Sequence, residues 1–137
     1  MAEIARLGWV IVYVPDVAEA LAFYGRAFGL PTRFGVPGFG ELETGTTALA
    51  FASDETAGGN LGRPFQRADL DQAPANVELA LVFDDVEAAH ARAVEAGAVE
   101  LTQPAYKPQG QTVSYVRDPW GTLIEIASPV VPPGETG

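Results

Sequence analysis

Two glutamates stand in segments whose pattern otherwise calls for apolar side chains. Glu78 opens ELALVFDDV (78–86) and Glu125 sits in the middle of TLIEIAS (122–128), both alternating strand-type stretches. A carboxylate in such a place is costly to bury unless it is paired, protonated or bound to a cation. Around these two, few other residues could do chemistry. Cysteine is absent and His90 is the single histidine, which excludes thiolate chemistry, disulfides and any multi-histidine metal centre within one chain. His90 falls on the helical stripe Val86, Ala89, His90 and Ala93, and a lone histidine on such a stripe is expected to be structural. GVPGFG (35–40) is not a phosphate loop, because it lacks the lysine and the strand-to-helix setting; it reads as a flexible turn or lid.

The elements that must position these residues come in two copies. WVIVYVPDV (9–17) matches ELALVFDDV at an offset of 69 residues, and TALAFAS (47–53) matches TLIEIAS at an offset of 75. Each copy reads as a strand, an Asp that caps a helix (Asp16, Asp85), an Ala-rich amphipathic helix stopped by glycine (Gly29, Gly97), and then further strands. The result is an α+β chain of two βαβββ modules, 5–57 and 76–130, with a Gly/Pro/Asn/Asp-rich connector at 58–75 and a frayed tail at 131–137. One helix covers one face of each four-stranded sheet, so function is sought on the other face. The weaker strands after the two helices are expected at 31–34 and 99–103.

Period-two alternation sorts the side chains. Val10, Val12 and Val14 go under the first helix, leaving Trp9, Ile11 and Tyr13 on the open side. In the second module Leu79, Leu81 and Phe83 go under, with Glu78, Ala80 and Val82 open. Leu123, Glu125 and Ala127 are open, matched in the first copy by Ala48, Ala50 and Ala52, and Tyr115 shares a face with Arg117. Apolar walls with a few polar groups suit a ligand pocket, although aromatic packing between modules accounts for Trp9 and Tyr13 equally well. Trp120 in DPWG, Tyr106 to Gln111, and Arg63 and Arg67 are candidate rim residues.

The stretches VPDVAEALAFYGRAFGL (14–30), FDDVEAAHARAVEAGA (83–98) and YVRDPWGTLIEIASP (115–129) resemble the vicinal-oxygen-chelate superfamily of glyoxalases, bleomycin-resistance proteins and extradiol dioxygenases, from about Leu7 to Pro129. The resemblance implies a cupped mixed sheet with the helices on its outer face, a homodimer, and a reactive centre inside the cup. It places the family's metal ligands at Trp9, Ala50, Glu78 and Glu125, of which only Glu78 and Glu125 can coordinate. It also makes the first and last strands of a module neighbours, which brings Glu78 and Glu125 to a cross-strand range of ~5–8 Å. At that range one carboxyl keeps its proton or a cation neutralises the pair. The expectation is therefore no cofactor, with a hard divalent cation, Mg²⁺ or Mn²⁺, at Glu78 and Glu125 as the alternative.

Three readings follow. In one, the chain binds a cationic or planar small molecule in an acidic, aromatic-lined cup, contacted by Trp9, Ile11, Tyr13, Ala50, Glu78, Tyr115, Arg117 and Glu125. In another, it is a metal-assisted lyase or isomerase, with Glu78 as base and Glu125 as metal ligand. In the last, Glu78 pairs with Arg117 and the protein is a structural or partner-binding dimer. The 137 residues carry a net charge of −10, which opposes nucleic acid and anionic membrane. No apolar run reaches the ~20 residues of a membrane helix, and the first residues lack a signal-peptide pattern, so a cytoplasmic location is expected.

Overall fold

The computed structural model describes residues 2–130; the expected tail at 131–137 lies outside the described residues. The chain divides between Arg67 and Ala68 into two compact units. In the first, β1 (Trp9–Val14), α1 (Val17–Phe28), β2 (Thr32–Val36), β3 (Phe39–Leu42), β4 (Ala48–Ser53) and α2 (Asp54–Leu61) follow one another. The second runs β5 (Glu78–Val82), α3 (Val86–Ala96), β6 (Val99–Lys107), β7 (Gln111–Arg117) and β8 (Leu123–Ala127). Each unit holds one mixed four-stranded sheet, ordered β1-β4-β3-β2 and β5-β8-β7-β6. The first and last strands of each are parallel neighbours, and the other pairings are antiparallel. The repeat in the sequence is thus a repeat of topology. No helix among the described residues is long and apolar enough to cross a membrane.

Local signals account for the helices. Asp16 accepts the Glu19 N–H at 3.0 Å and starts α1, which Gly29 ends in the left-handed conformation. Its inner stripe is Val17, Ala20, Phe23, Tyr24, Ala27 and Phe28, and the Tyr24 ring packs at a tilt against Phe51 of β4 with centroids 4.8 Å apart. The side chains of α1 lie so close to β3 that a Cβ on Gly40 would stand 2.7 Å from Leu21 Cδ1 and 3.0 Å from Val17 Cγ1, so a larger residue there must push these side chains aside. Asp85 and Gly97 cap α3 in the same manner.

Several features depart from the sequence reading. The start of the connector is helical: Ser53 accepts the Thr56 N–H at 3.1 Å and Gly62 closes α2, a cap pair obscured by the Gly-Gly inside the helix. GVPGFG, by contrast, forms the turn that the sequence indicates, here a tight β2–β3 hairpin with Val36 paired to Phe39. β6 continues to Lys107 through Pro104, which an edge strand with a bulge tolerates.

His90 is buried on the helix-covered side of the second sheet, between Ser114 Oγ at 2.8 Å and Glu100 Oε2 at 2.6 Å. The Glu100 carboxylate only accepts, so Nε2 carries a hydrogen; in the neutral ring Nδ1 then accepts from the Ser114 hydroxyl. These bonds tie α3 to β6 and β7. Replacing His90 by Leu strands the fully buried Ser114 hydroxyl and should cost ~1–3 kcal/mol in urea unfolding, with part of the loss recovered by adding Ser114→Ala.

Candidate functional site

In the second unit, strand register lays out the open face in rows. Glu78 pairs with Leu123, which pairs with Arg117; Ala80 pairs with Glu125, which pairs with Tyr115. Glu78 and Glu125 thus stand diagonally on adjacent parallel strands, and their carboxyls come within hydrogen-bonding range. The Tyr115 hydroxyl donates to Glu125 Oε2 at 3.2 Å. Glu125 is therefore the shared acceptor of the cluster. Glu78 is exposed, and what desolvation it has, then the hydrogen bond to Glu125 and its negative charge, push its carboxyl above the ordinary carboxylate range. Burial and the two neighbouring carboxylates likewise raise the Tyr115 phenol.

Arg117 does not serve this pair. Its side chain is buried, with Nε donating to the Gly121 carbonyl at 2.9 Å, Nη1 to that of Gln72 at 2.7 Å and Nη2 to that of Asp69 at 3.0 Å. Alternation set its row correctly, but the long side chain turns off the face toward carbonyls of the connector. The expected Glu78–Arg117 ion pair is corrected accordingly: the ion pairs of the described residues include none to Glu78 or Glu125.

The matching face of the first unit has a different character. Trp9, Ile11 and Tyr13 project from β1 and are 55%, 45% and 38% exposed, beside the buried alanines 48, 50 and 52 of β4. Trp9 Nε1–H donates to Glu41 Oε2 at 2.9 Å, and Arg33 lies 3.6 Å from Glu41 and also pairs with Glu43. Glu41 thus has both a donor and a counter-charge. Tyr13 meets Phe65 edge-on at 4.8 Å, and the Arg67 guanidinium lies over Phe65 at 5.2 Å while pairing with Asp54 at 3.0 Å. Arg67 is therefore engaged rather than a free anion handle.

Arg33 and Phe65 escaped the sequence reading, although Glu41 pairs with Ala50 as Tyr115 pairs with Glu125, a correspondence present in the repeat. Among the remaining rim candidates, Tyr106 is 74% exposed and Trp120 half-buried. A surface groove of ≈ 830 Å³ in the first unit, bordered by Asp16, Leu21, Pro37, Ser53 and Glu55, contains none of these residues. Asp16 and Ser53 are already committed there as helix caps, so chemistry is better sought on the sheet faces.

For a metal, the second unit offers two carboxyls and a phenol. Trp9 and Ala50 have no donor to give, and the described residues hold no group of three or more His, Cys, Asp or Glu suited to an ion. That donor set does not fit a zinc, nickel or iron centre, which draws on imidazole or thiolate and on three or four protein ligands. The Ser114–His90–Glu100 chain resembles a relay, but Ser114 has no exposed surface for a substrate to reach.

The model of the Glyoxalase/Bleomycin resistance protein/Dioxygenase superfamily matches residues 6–126. A glyoxalase-related enzyme from Fulvimarina pelagi is similar in structure, with TM-score 0.79 and 22% identity over 92% of this chain and 89% of that one. So is a glyoxalase/bleomycin resistance protein/dioxygenase family enzyme from Burkholderia phytofirmans PsJN, with TM-score 0.77 and 22% identity over 93% and 100%. TioX from Micromonospora sp. ML1 aligns with TM-score 0.63 and 21% identity over 90% and 98%. At these identities the likeness speaks for the fold alone. No curated protein matches the sequence.

Glu78 binds its proton more tightly in the folded chain than in the unfolded one. The fold is therefore free of carboxylate repulsion at low pH and loses stability as pH rises from the ordinary carboxyl range through the raised Glu78 value. Glu78→Gln, which mimics the protonated acid, should match wild type in urea midpoint near pH 4 and exceed it at pH 7. A midpoint difference independent of pH would contradict this.

Proposed function

The chain belongs to the Glyoxalase/Bleomycin resistance protein/Dioxygenase superfamily, and from that premise we propose that it binds a small organic cation through the Glu78–Glu125 pair. The observation that carries this reading is the pair itself: two carboxyls in mutual contact on an open sheet face, with the nearest candidate cation, Arg117, spent on backbone carbonyls. The pair has no counter-charge of its own among the ion pairs of the described residues, and a ligand ammonium or iminium group supplies one. Tyr115 supplies an aromatic surface and a hydroxyl next to the charge. Ala80, Leu123 and Ala127 around it offer apolar contact rather than further donors, which suits an organic cation better than a hydrated metal ion.

The first unit adds a stacking surface of its own. Trp9 is more than half exposed, yet its indole N–H is tethered to Glu41, so the ring is held in orientation for a planar group. Exposed apolar residues on the open face of each unit, Trp9, Ile11 and Tyr13 in the first and Val82 at 62% in the second, favour a homodimer in which a second copy covers them. The protein in this reading is a cytoplasmic small-molecule binder that needs no cofactor.

Benzyltrimethylammonium, its neutral isostere neopentylbenzene, MgCl₂ and MnCl₂ serve as probes in thermal shift and calorimetry. The quaternary ammonium should raise Tm in a concentration-dependent way. Replacing Glu78 and Glu125 together by Gln should weaken it at least about tenfold, or ~1.4 kcal/mol. Equal binding of the neutral isostere would overturn the reading, and saturable binding of Mg²⁺ or Mn²⁺ alone would move it to the metal-assisted alternative.

A further inference from the structure

One stretch of the first unit leaves its apolar side chains without a home. Residues 2–7 run ahead of β1 as exposed, irregular chain, with Ile4 87% and Leu7 68% exposed. Only the end next to β1 is fixed: the Leu7 carbonyl accepts from the Thr47 hydroxyl at 2.8 Å, and the Gly8 carbonyl from the Ala48 N–H at 3.0 Å. Arg6 is exposed as well and enters no ion pair among the described residues. In extended chain Ile4 and Arg6 share one face, so the segment presents an apolar side chain and an unpaired cation side by side.

The groove of ≈ 830 Å³ in the same unit has the converse character. Val17, Ala18 and Leu21 of α1 form one wall and Val36 and Pro37 of the β2–β3 turn another, while the charged residues that border it, Asp16 and Glu55, are both acidic. Asp16 is spent on its helix cap, and Asp54 beside Glu55 already has Arg67. Glu55 is exposed and enters no ion pair among the described residues. The positive ends of α1 and α2 are offset here by Asp16, Glu19 and Glu55 in their caps and first turns. The walls are set before anything binds: Ser53 N–H donates to the Gly38 carbonyl at 2.9 Å, and a Cβ on Gly38 would stand 2.5 Å from Thr56 Oγ1. A visitor therefore meets a formed apolar slot with an unpaired carboxylate at its rim, and no wall has to be ordered first.

A chain cannot fill its own groove with this segment. Gly8 and Pro15 flank β1 at opposite ends, ~23 Å apart by the strand rise. Ile4 reaches at most ~14 Å from Gly8 even when fully extended. We propose that residues 4–6 of a second copy dock in the groove, with the Ile4 side chain between the apolar walls and the Arg6 guanidinium against Glu55. In a two-fold pair the contact is made twice, each copy giving its segment and receiving the other. The contact goes beyond the cation reading and is separate from the covering of the open sheet faces.

Charge exchange in the full chain tests it. Arg6→Glu, Glu55→Arg and the two together are compared with wild type by sedimentation equilibrium at low ionic strength; both side chains are exposed and unpaired, so the fold is left intact. Wild type should self-associate, each single change should weaken association at least about tenfold by setting like charges together, and the double exchange should recover most of it. A peptide of residues 2–8 added to the ¹⁵N-labelled Arg6→Glu chain should shift the amide signals of groove residues such as Asp16, Val36 and Glu55, whereas the same peptide carrying Arg6→Glu should not. A wild-type chain that stays monomeric at its highest soluble concentration overturns the proposal, as do peptide shifts confined to the open face around Trp9. Equal association in all four proteins also overturns it and leaves the open faces as the source of the pairing.

Discussion

Two like charges on adjacent parallel strands are the constraint around which the second unit is organised. The β5–β8 register places Glu78 and Glu125 one diagonal step apart. The clash is met locally. Glu125 collects hydrogen bonds from Tyr115 and from Glu78, Glu78 holds its proton above the ordinary range, and the neighbouring guanidinium is turned away. A group arranged in this way costs some stability at neutral pH and is satisfied by an incoming positive charge.

The two units share a topology and differ in chemistry. Where the second carries Glu78, Glu125 and Tyr115, the first carries Trp9, Ala50 and Glu41 at the corresponding places of its sheet. Its Glu41 carboxylate is already satisfied by an indole N–H and a guanidinium. One face is thus apolar with its charge balanced internally, and the other is acidic with its charge open. Fold fixes where side chains can project, while the side chains set what each face can bind. Trp9 and Ala50 carry no metal-binding atom, so the first unit has no counterpart to the Glu78–Glu125 pair.

The fully buried interactions serve the scaffold rather than the chemistry. His90, Ser114 and Glu100 fasten α3 to the back of the second sheet, as Tyr24 and Phe51 fasten α1 to the first. Ser114 and Tyr115 are consecutive in β7, so the residue that locks the helix and the residue that orients Glu125 point to opposite sides of one strand. The docking of α3 and the placement of Tyr115 are therefore linked through one stretch of backbone.

Local information in the chain determined a great deal. Period-two alternation separates the helix-covered from the open side chains, Asp and Gly mark the ends of α1 and α3, and the offset between copies reveals two modules, because each of these signals depends only on near neighbours. Glu78 and Glu125 stand out by the same logic, as charges in apolar patterns. The reach of long side chains was not determined in that way. Arg117 belongs by alternation to the open face, but its guanidinium finds carbonyls some forty-five residues earlier in the chain. Trp9 meets Glu41, and Phe65 returns to Tyr13. A strand pattern assigns a face to a Cβ, whereas the end of a long flexible side chain goes wherever distant backbone leaves donors or acceptors unsatisfied, and only the tertiary structure decides that.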